Sequence, residues 1–313
     1  MTRTPLTGTA APARAASLPR TARRPLRRTL GRVLIYAVLL GIFVFAAFPL
    51  VWTLVISVTD SNSVTTGRTV YDFPASLFPA RVTFANFFNV LHTYPALGRA
   101  FVNSVIISSL SILLTVIVSA LAAYPLARNE FWGKALIFNL IVVTMVLPTE
   151  TSFLVNMLSL AHLRQLPGIG PLIGIGSYLG VVLPTVSTAF GIFVMRQAFL
   201  AIPQSLLEAA RIDGATEGQI FKRVMLPLSV PSMAALSIFT LVNTWNSYFW
   251  PSIALTGSQD KLPLAVEMLK LKGAFNDNIF NTAAGAVIMM VPILLLFLFA
   301  QRFFMRGLEG ATK

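Results

Sequence analysis

The chain has no cysteine among its 313 residues, and its only histidines, His92 and His162, stand far apart. Disulfides and thiolate metal sites are excluded, and metal catalysis finds no ligand cluster to build on. Charge is scarce as well: Asp, Glu, Lys and Arg make up 11% of the residues, and residues 1–59 contain no acidic side chain. The phosphate-cradling pattern GxxxxGK[ST] is missing, so any ATP chemistry belongs to another polypeptide. No internal repeat stands out.

What fills the chain instead is apolar. Hydrophobic residues make up 56% of it and the mean hydropathy is +0.76, more than a soluble domain carries, which points to a chain solvated largely by lipid. Six apolar segments stand out, at 33–58, 101–127, 135–160, 178–199, 229–255 and 282–304. The first, VLIYAVLLGIFVFAAFPLVWTLVISV, runs 26 residues without a charge. That exceeds the ~7–15 residues of a signal-peptide core, and no small-residue cleavage site follows. At about 1.5 Å per residue such a run covers ~39 Å as a helix, enough to cross a bilayer with tilt. It reads as a retained span.

The net charge of +13 is uneven, because eight arginines fall within residues 1–59. They sit among Ala, Pro and Thr rather than among aromatics, which argues against nucleic acid and for a disordered basic tail over 1–32 that anchors topology. An Arg-rich, acid-poor start also suits an organelle transit peptide. If both ends face the cytoplasm, 17 Lys and Arg fall inside and seven outside, the bias expected of that orientation. Pro125, Pro148, Pro184 and Pro292 interrupt apolar runs, where neighbouring helices must satisfy the freed carbonyls. Asn103, Ser104, Ser108, Ser109, Ser111, Thr115 and Ser119 line the second run and mark it as packed against protein.

Between the fourth and fifth runs lies EAARIDGATEGQIFKRVMLP, residues 208–227. Ser205 with Glu208 spells a capping box for a short helix, Gly214 is placed to end it, and Thr216 with Gln219 spells a second box. The pattern predicts helix, glycine elbow and helix, the second running to Pro227. Ala209 and Ala210 give a flat face that suits docking, while Glu208 and Arg211 share an exposed one.

At this point the chain resembles the inner-membrane permeases of binding-protein-dependent ABC importers. Their signature is EAA, three residues, Gly, nine residues, Ile, one residue, Leu-Pro. Here it reads Glu208-Ala209-Ala210, Gly214, Val224 in place of Ile, then Leu226-Pro227. Within that family the strings NSVIISSLSILLTVIVSALAAYPLAR (103–128), FGIFVMRQAFLAIPQSLLEAARIDGA (190–215), WNSYFWP (245–251) and LLFLFAQRFFMRGLEGATK (295–313) resemble carbohydrate-type permeases, similar to the maltose and glycerol-phosphate importers.

The resemblance implies an all-α membrane protein with six transmembrane helices and the type I ABC importer permease fold, including a cytoplasmic coupling helix at 204–222. The first span at 33–58 would lead through an extracytoplasmic connection at 59–100 into a permease core at 101–304. A cytoplasmic tail at 305–313 would follow. Glu208, Ala209, Ala210, Asp213 and Gly214 would contact a cytoplasmic ATPase dimer, with Arg211 and Ile212 supporting them and Leu226-Pro227 setting the start of the fifth span. A second homologous permease, an extracytoplasmic solute-binding protein and a sugar-like substrate complete the implied set, in a bacterial inner membrane with both termini cytoplasmic. The chain itself would be no enzyme and hold no cofactor.

Asn243, Trp245, Asn246 and Tyr248 in the fifth run, with Glu150 and Asn156 after Pro148 in the third, are candidates for the substrate pathway. Hydroxyls of a sugar take hydrogen bonds while its C–H face stacks on an aromatic ring, and a carboxylate at membrane depth needs water or a partner. The same residues could instead gate the path or pack between helices. An ABC permease for another small polar solute is the first alternative. An ion-coupled carrier would need an inverted repeat or intramembrane charge pairs, and an embedded enzyme would need a second acid beside Glu150; neither pattern is present.

Overall fold

The computed structural model describes residues 25–60, 74–79, 81–147, 149–274 and 278–310. Residues 1–24 of the expected tail, Arg68, Pro148, Lys313 and the side chains of Glu150, Arg302 and Arg306 lie outside that description. By its contacts the chain divides into two units, Met1–Val51 and Trp52–Lys313.

Most of the long helix α1 (Pro25–Ser57) belongs to the first unit. It begins inside the stretch expected to be a tail, at a proline whose fixed φ suits a first helical turn. Gly31–Ser57, 27 residues, is long and apolar enough to cross a membrane.

In the second unit α2 (Ala85–Thr93) precedes α3 (Ala96–Arg128), which packs against four of the later helices. Its buried face carries Asn103, Ser104, Ser108, Ser111, Thr115 and Ser119, while Val105, Leu113, Ile117 and Leu121 are exposed on the other side. That is the helical spacing of a small-residue packing seam set against a lipid-facing surface. Ser109 alone of the expected set faces outward.

The third apolar run does not form one helix. α4 (Lys134–Val143) tightens into a 3-10 turn at Thr144–Val146, and the chain then opens at Leu147, with φ −74° and ψ 130°. The residue before a proline is pushed out of the helical region, and Pro148 follows. A short turn at Thr149–Ser152 restarts the chain into α5 (Phe153–Arg164). Next come α6 (Gly170–Ile173), α7 (Tyr178–Val186) and α8 (Ala189–Ala201). α7 contains Pro184, and its axis meets that of α8 at 55°. Thr188 caps α8 by accepting from the Gly191 amide at 3.0 Å.

α9 (Gln204–Ile212) and α10 (Glu217–Ile220) lead through a π segment, Phe221–Met225, into α11 (Leu226–Leu228). The stretch Glu217–Leu228 meets α12 (Val230–Asn246) at 71°. α13 (Phe249–Ala254), α14 (Leu264–Ala274) and α15 (Ile279–Gly310) complete the described helices. Two helices, α1 and α3, are individually long and apolar enough to span, and each bent pair adds one candidate; Lys134–Val146 and Ile279–Leu295 are shorter.

The glycine-rich connection between α5 and α7 is pinned rather than loose. Gly170 and Gly174 press so closely on the Arg164 backbone that a Cβ at either would overlap it. The Gly176 amide donates to Ala254 O at 2.8 Å, and Lys261 donates to Gly176 O at 3.0 Å. Nearby, the Asn103 amide donates to Asp260 O at 2.9 Å and Leu262 O at 3.0 Å, and its oxygen accepts from the Tyr178 hydroxyl at 2.7 Å.

Candidate functional site

The segment between α8 and α12 is built by backbone constraints that explain the spacing of its motif. Ile202 and Pro203 are both extended, with ψ 127° and 134°, because Pro203 bars Ile202 from the helical region. α8 therefore stops and α9 starts at Gln204, one residue before the Ser205 expected to cap it. Ser205 makes no cap; Pro203 occupies that position without a side-chain bond.

α9 ends as expected at Gly214, whose φ is +79°. The Gly214 amide donates to Arg211 O at 3.0 Å and the Ala215 amide to Ala210 O at 2.9 Å. This reciprocal pair is the Schellman stop, in which a left-handed residue lets the next amide reach back five residues. The interval from the EAA alanines to the glycine is thus set by helix termination: Ala210 must be the acceptor for the residue after Gly214. Thr216 then opens the next helix with the box anticipated for it. Its Oγ1 accepts from the Gln219 amide at 3.4 Å and its amide donates to Gln219 Oε1 at 2.8 Å.

Beyond Ile220 the Leu226 amide donates to Phe221 O, five residues back, which defines the π turn. Pro227 has no amide hydrogen and its ring would collide with a carbonyl one α-turn earlier; a wider turn ahead of it relieves both problems. The second helix of the motif therefore ends at Leu228, past Pro227.

One face of this elbow is anchored and the other is open. Leu207, Ile220 and Met225 are fully buried in a cluster with Ala123, Met195, Phe199 and Leu236. Leu206, Glu208, Ala209, Arg211, Asp213 and Gly214 are exposed, and Ile212 is 87% exposed. Ala210 and Leu226 are half-buried and Pro227 is exposed. An exposed isoleucine beside acidic and basic neighbours, on a helix held rigidly from behind, forms a compact knob that can seat in a partner's cleft.

Polar bonds tie the elbow to the C-terminal end of α3. Glu217 accepts from the Tyr124 hydroxyl at 2.6 Å through Oε2, and from Arg211 through Oε1 at 2.9–3.0 Å. The Tyr124 hydroxyl, followed by Arg211, holds the Glu217 carboxyl below its ordinary range, outweighing the opposing effect of burial. Arg128 donates to Phe199 O, to Ile202 O at 2.5 Å and to Gln204 Oε1 at 3.2 Å. Arg196 donates to Leu126 O at 3.0 Å and lies 4.0 Å above the Phe138 ring. The sequence alone marks Arg128 and Arg196 only as topology charges and Arg211 as a support of the expected ATPase contact, and it does not single out Tyr124 or Glu217. No local pattern could pair residues so far apart in the chain.

The pathway candidates divide. Trp245 is buried, its Nε1 donating to Met289 O at 3.2 Å and its ring meeting Phe101 edge-on at 5.8 Å. Asn243 and Asn246 are exposed on α12, each amide donating one turn back, to Phe239 O and Val242 O at 2.8 Å. Tyr248 is half-exposed at the α12–α13 junction and Asn156 is half-buried on α5. Phe153 lies 4.8 Å from Phe249 between ring centroids, which brings the start of α5 to that junction.

The inner-membrane component model of binding-protein-dependent transport systems matches residues 115–310. The chain is 32% identical over 289 residues to the arabinooligosaccharides transport system permease protein AraQ of Halalkalibacterium halodurans, covering 92% of this chain and all of that one. It is 30% identical to the lactose transport system permease protein LacG of Rhizobium radiobacter, over 92% of this chain and 98% of the relative. Among solved structures, a chain of a bacterial ABC transporter involved in the import of the acidic polysaccharide alginate superposes with a TM-score of 0.71. That chain is 27% identical, with 90% of this chain and 98% of the other covered. With the Schellman-stopped elbow in the matched region, the chain belongs to the family of binding-protein-dependent transport system inner-membrane components.

Proposed function

We propose that the chain is a permease subunit of an ATP-driven importer for a sugar or related polyol, and that α9 is its coupling helix. The observation that carries this reading is the rigidly backed, exposed knob of the family motif, in a chain that matches sugar-transport permeases over nine-tenths of its length. In this reading the chain crosses six times, the broken third run and the two bent pairs each counting as one crossing, with both termini and the knob in the cytoplasm as the Lys and Arg bias suggests. A cytoplasmic ATPase dimer hydrolyses ATP and receives Glu208, Ala209, Ala210, Asp213 and Gly214, supported by Arg211 and Ile212. Leu226 and Pro227 turn the thrust into the fifth span. A second permease completes the channel, and an extracytoplasmic binding protein delivers the solute.

In this reading Asn243, Asn246, Tyr248 and Asn156 belong to the path, and Glu150 is assigned to it from the sequence alone. Trp245 braces them from behind. The absence of native cysteine makes the test direct. A chain carrying only Ile212→Cys, co-expressed with its ATPase, crosslinks to it in membranes, and vesicles bearing the assembly accumulate labelled arabinotriose or lactose when ATP is supplied. Failure to crosslink removes the coupling role of α9. Accumulation of neither sugar, with ATP-driven uptake of a different solute class, removes the carbohydrate assignment.

A further inference from the structure

We propose that Glu217 is a positioning residue that passes movement of α9 to α3, through Arg211 on one side and Tyr124 on the other. The inference rests on the coupling reading of α9 and extends it, by naming where the thrust enters the spans.

Glu217 stands at the first position of α10, just beyond the glycine elbow, and each of its carboxylate oxygens serves a different element. Oε1 takes the Arg211 guanidinium from the last turn of α9, and Oε2 takes the Tyr124 hydroxyl from the last turns of α3. A carboxylate bridging two donors in this way fixes the separation of both, because charge-assisted bonds are short and directional. Tyr124 is not a free tether. Its ring is edge-on to Phe199 at 6.2 Å and to Phe221 at 5.1 Å, so a pull on the hydroxyl acts on a ring wedged against α8 and the π segment.

The geometry also explains why a carboxylate is needed at an exposed position. Arg211 and Glu217 are 42% and 56% exposed, so the pair adds little stability. Its use is to make α9 and α3 move together. Arg128 adds a second strap four residues along α3, gripping the carbonyls at the end of α8 and Gln204 at the start of α9. That strap holds the first residue of α9, whereas the Glu217 bridge holds its last turn through Arg211, so without the bridge the exposed end of α9 beside Gly214 could move while its start stayed with α3. α3 is a continuous 33-residue helix with Val102 exposed near its other end, so motion entering at Tyr124 reaches the far side of the span.

The test uses the assembled complex with its ATPase, carrying Val102→Cys as the only cysteine, and follows its labelling by a maleimide. Trapping with ATP and vanadate should change the labelling rate, and Glu217→Gln or Tyr124→Phe should shrink that change by about 5-fold or more, within the usual span of coupling between sites. Tyr124→Phe removes one oxygen and keeps the ring, so the loss cannot be assigned to a failed fold. The double variant should be no worse than either single one, as for groups acting as a unit. A full response in both single variants, with the Ile212→Cys crosslink present, overturns the relay and leaves the coupling reading standing. An unresponsive Val102→Cys in the parent complex also overturns the relay. Absence of the crosslink in the parent overturns the coupling reading and the relay with it.

Discussion

The Tyr178 hydroxyl donates to the Asn103 side-chain oxygen at 2.7 Å, while the Asn103 amide holds the carbonyls of Asp260 and Leu262. One buried amide thereby joins α3, α7 and the loop that leads into α14.

Asn103→Leu keeps the volume but strands two carbonyls and a phenol. At about 1–3 kcal/mol for each buried group left unsatisfied, the purified protein should melt several degrees lower in detergent. An unchanged melting temperature would mean that water already serves these carbonyls.

Gly214→Val should spare membrane insertion and uncouple ATP turnover from uptake. A Cβ there meets no atom within 4 Å, so crowding is not the issue. The cost is the left-handed φ of +79°, about 1–2 kcal/mol for an L-residue, and a β-branched side chain pushes the elbow out of its Schellman geometry. Normal uptake in reconstituted vesicles would refute this.

Trp245→Ala and Asn246→Ala should separate cleanly. The first removes a buried ring and its bond to Met289, a loss of about 3–5 kcal/mol, and should appear as a lower melting temperature and poor recovery of the complex. The second trims an exposed amide bonded only within its own helix, so stability should hold while uptake changes. Equal stability of both variants would contradict the bracing role of Trp245.

The Glu217 bridge should be insensitive to mild acid. Its carboxyl titrates below the ordinary value because the Tyr124 hydroxyl and Arg211 favour the charged form. For a group whose folded value is depressed, the stabilisation is complete above the unfolded value, about 4.3 for Glu, and is lost only as pH falls through the lower folded value. The trapping response should therefore be flat between neutral pH and about 5. A collapse near neutrality would point to a different titrating group.

Much of this architecture was legible from residue order. The Thr216–Gln219 box, the glycine stop and the polar seam of α3 follow from local rules: a side chain three residues from its partner, a residue without a Cβ, a repeat near 3.6. Local rules misled at Ser205, where the extended Ile202-Pro203 pair already fixed the helix start; at Trp245 they left pathway and packing readings open, and its burial shows only once Met289 of α15 is seen beside it. The break at Leu147 was available from Pro148 but hidden by the unbroken hydropathy around it. Glu217 and Tyr124 meet only because α3 and α10 are brought together in space, and nothing near either in sequence announces the other.

The wide turn at Phe221–Met225 takes up one surplus residue, so the helical stretches on either side of it keep nearly the same relative azimuth. Excising one residue there would restore an even winding without swivelling α10, and would bring the Pro227 ring against the carbonyl one turn earlier. The slack in this chain therefore belongs to the Leu-Pro pair, and a single-residue deletion should kink the entry to the fifth run while leaving Glu217 on the Tyr124 side.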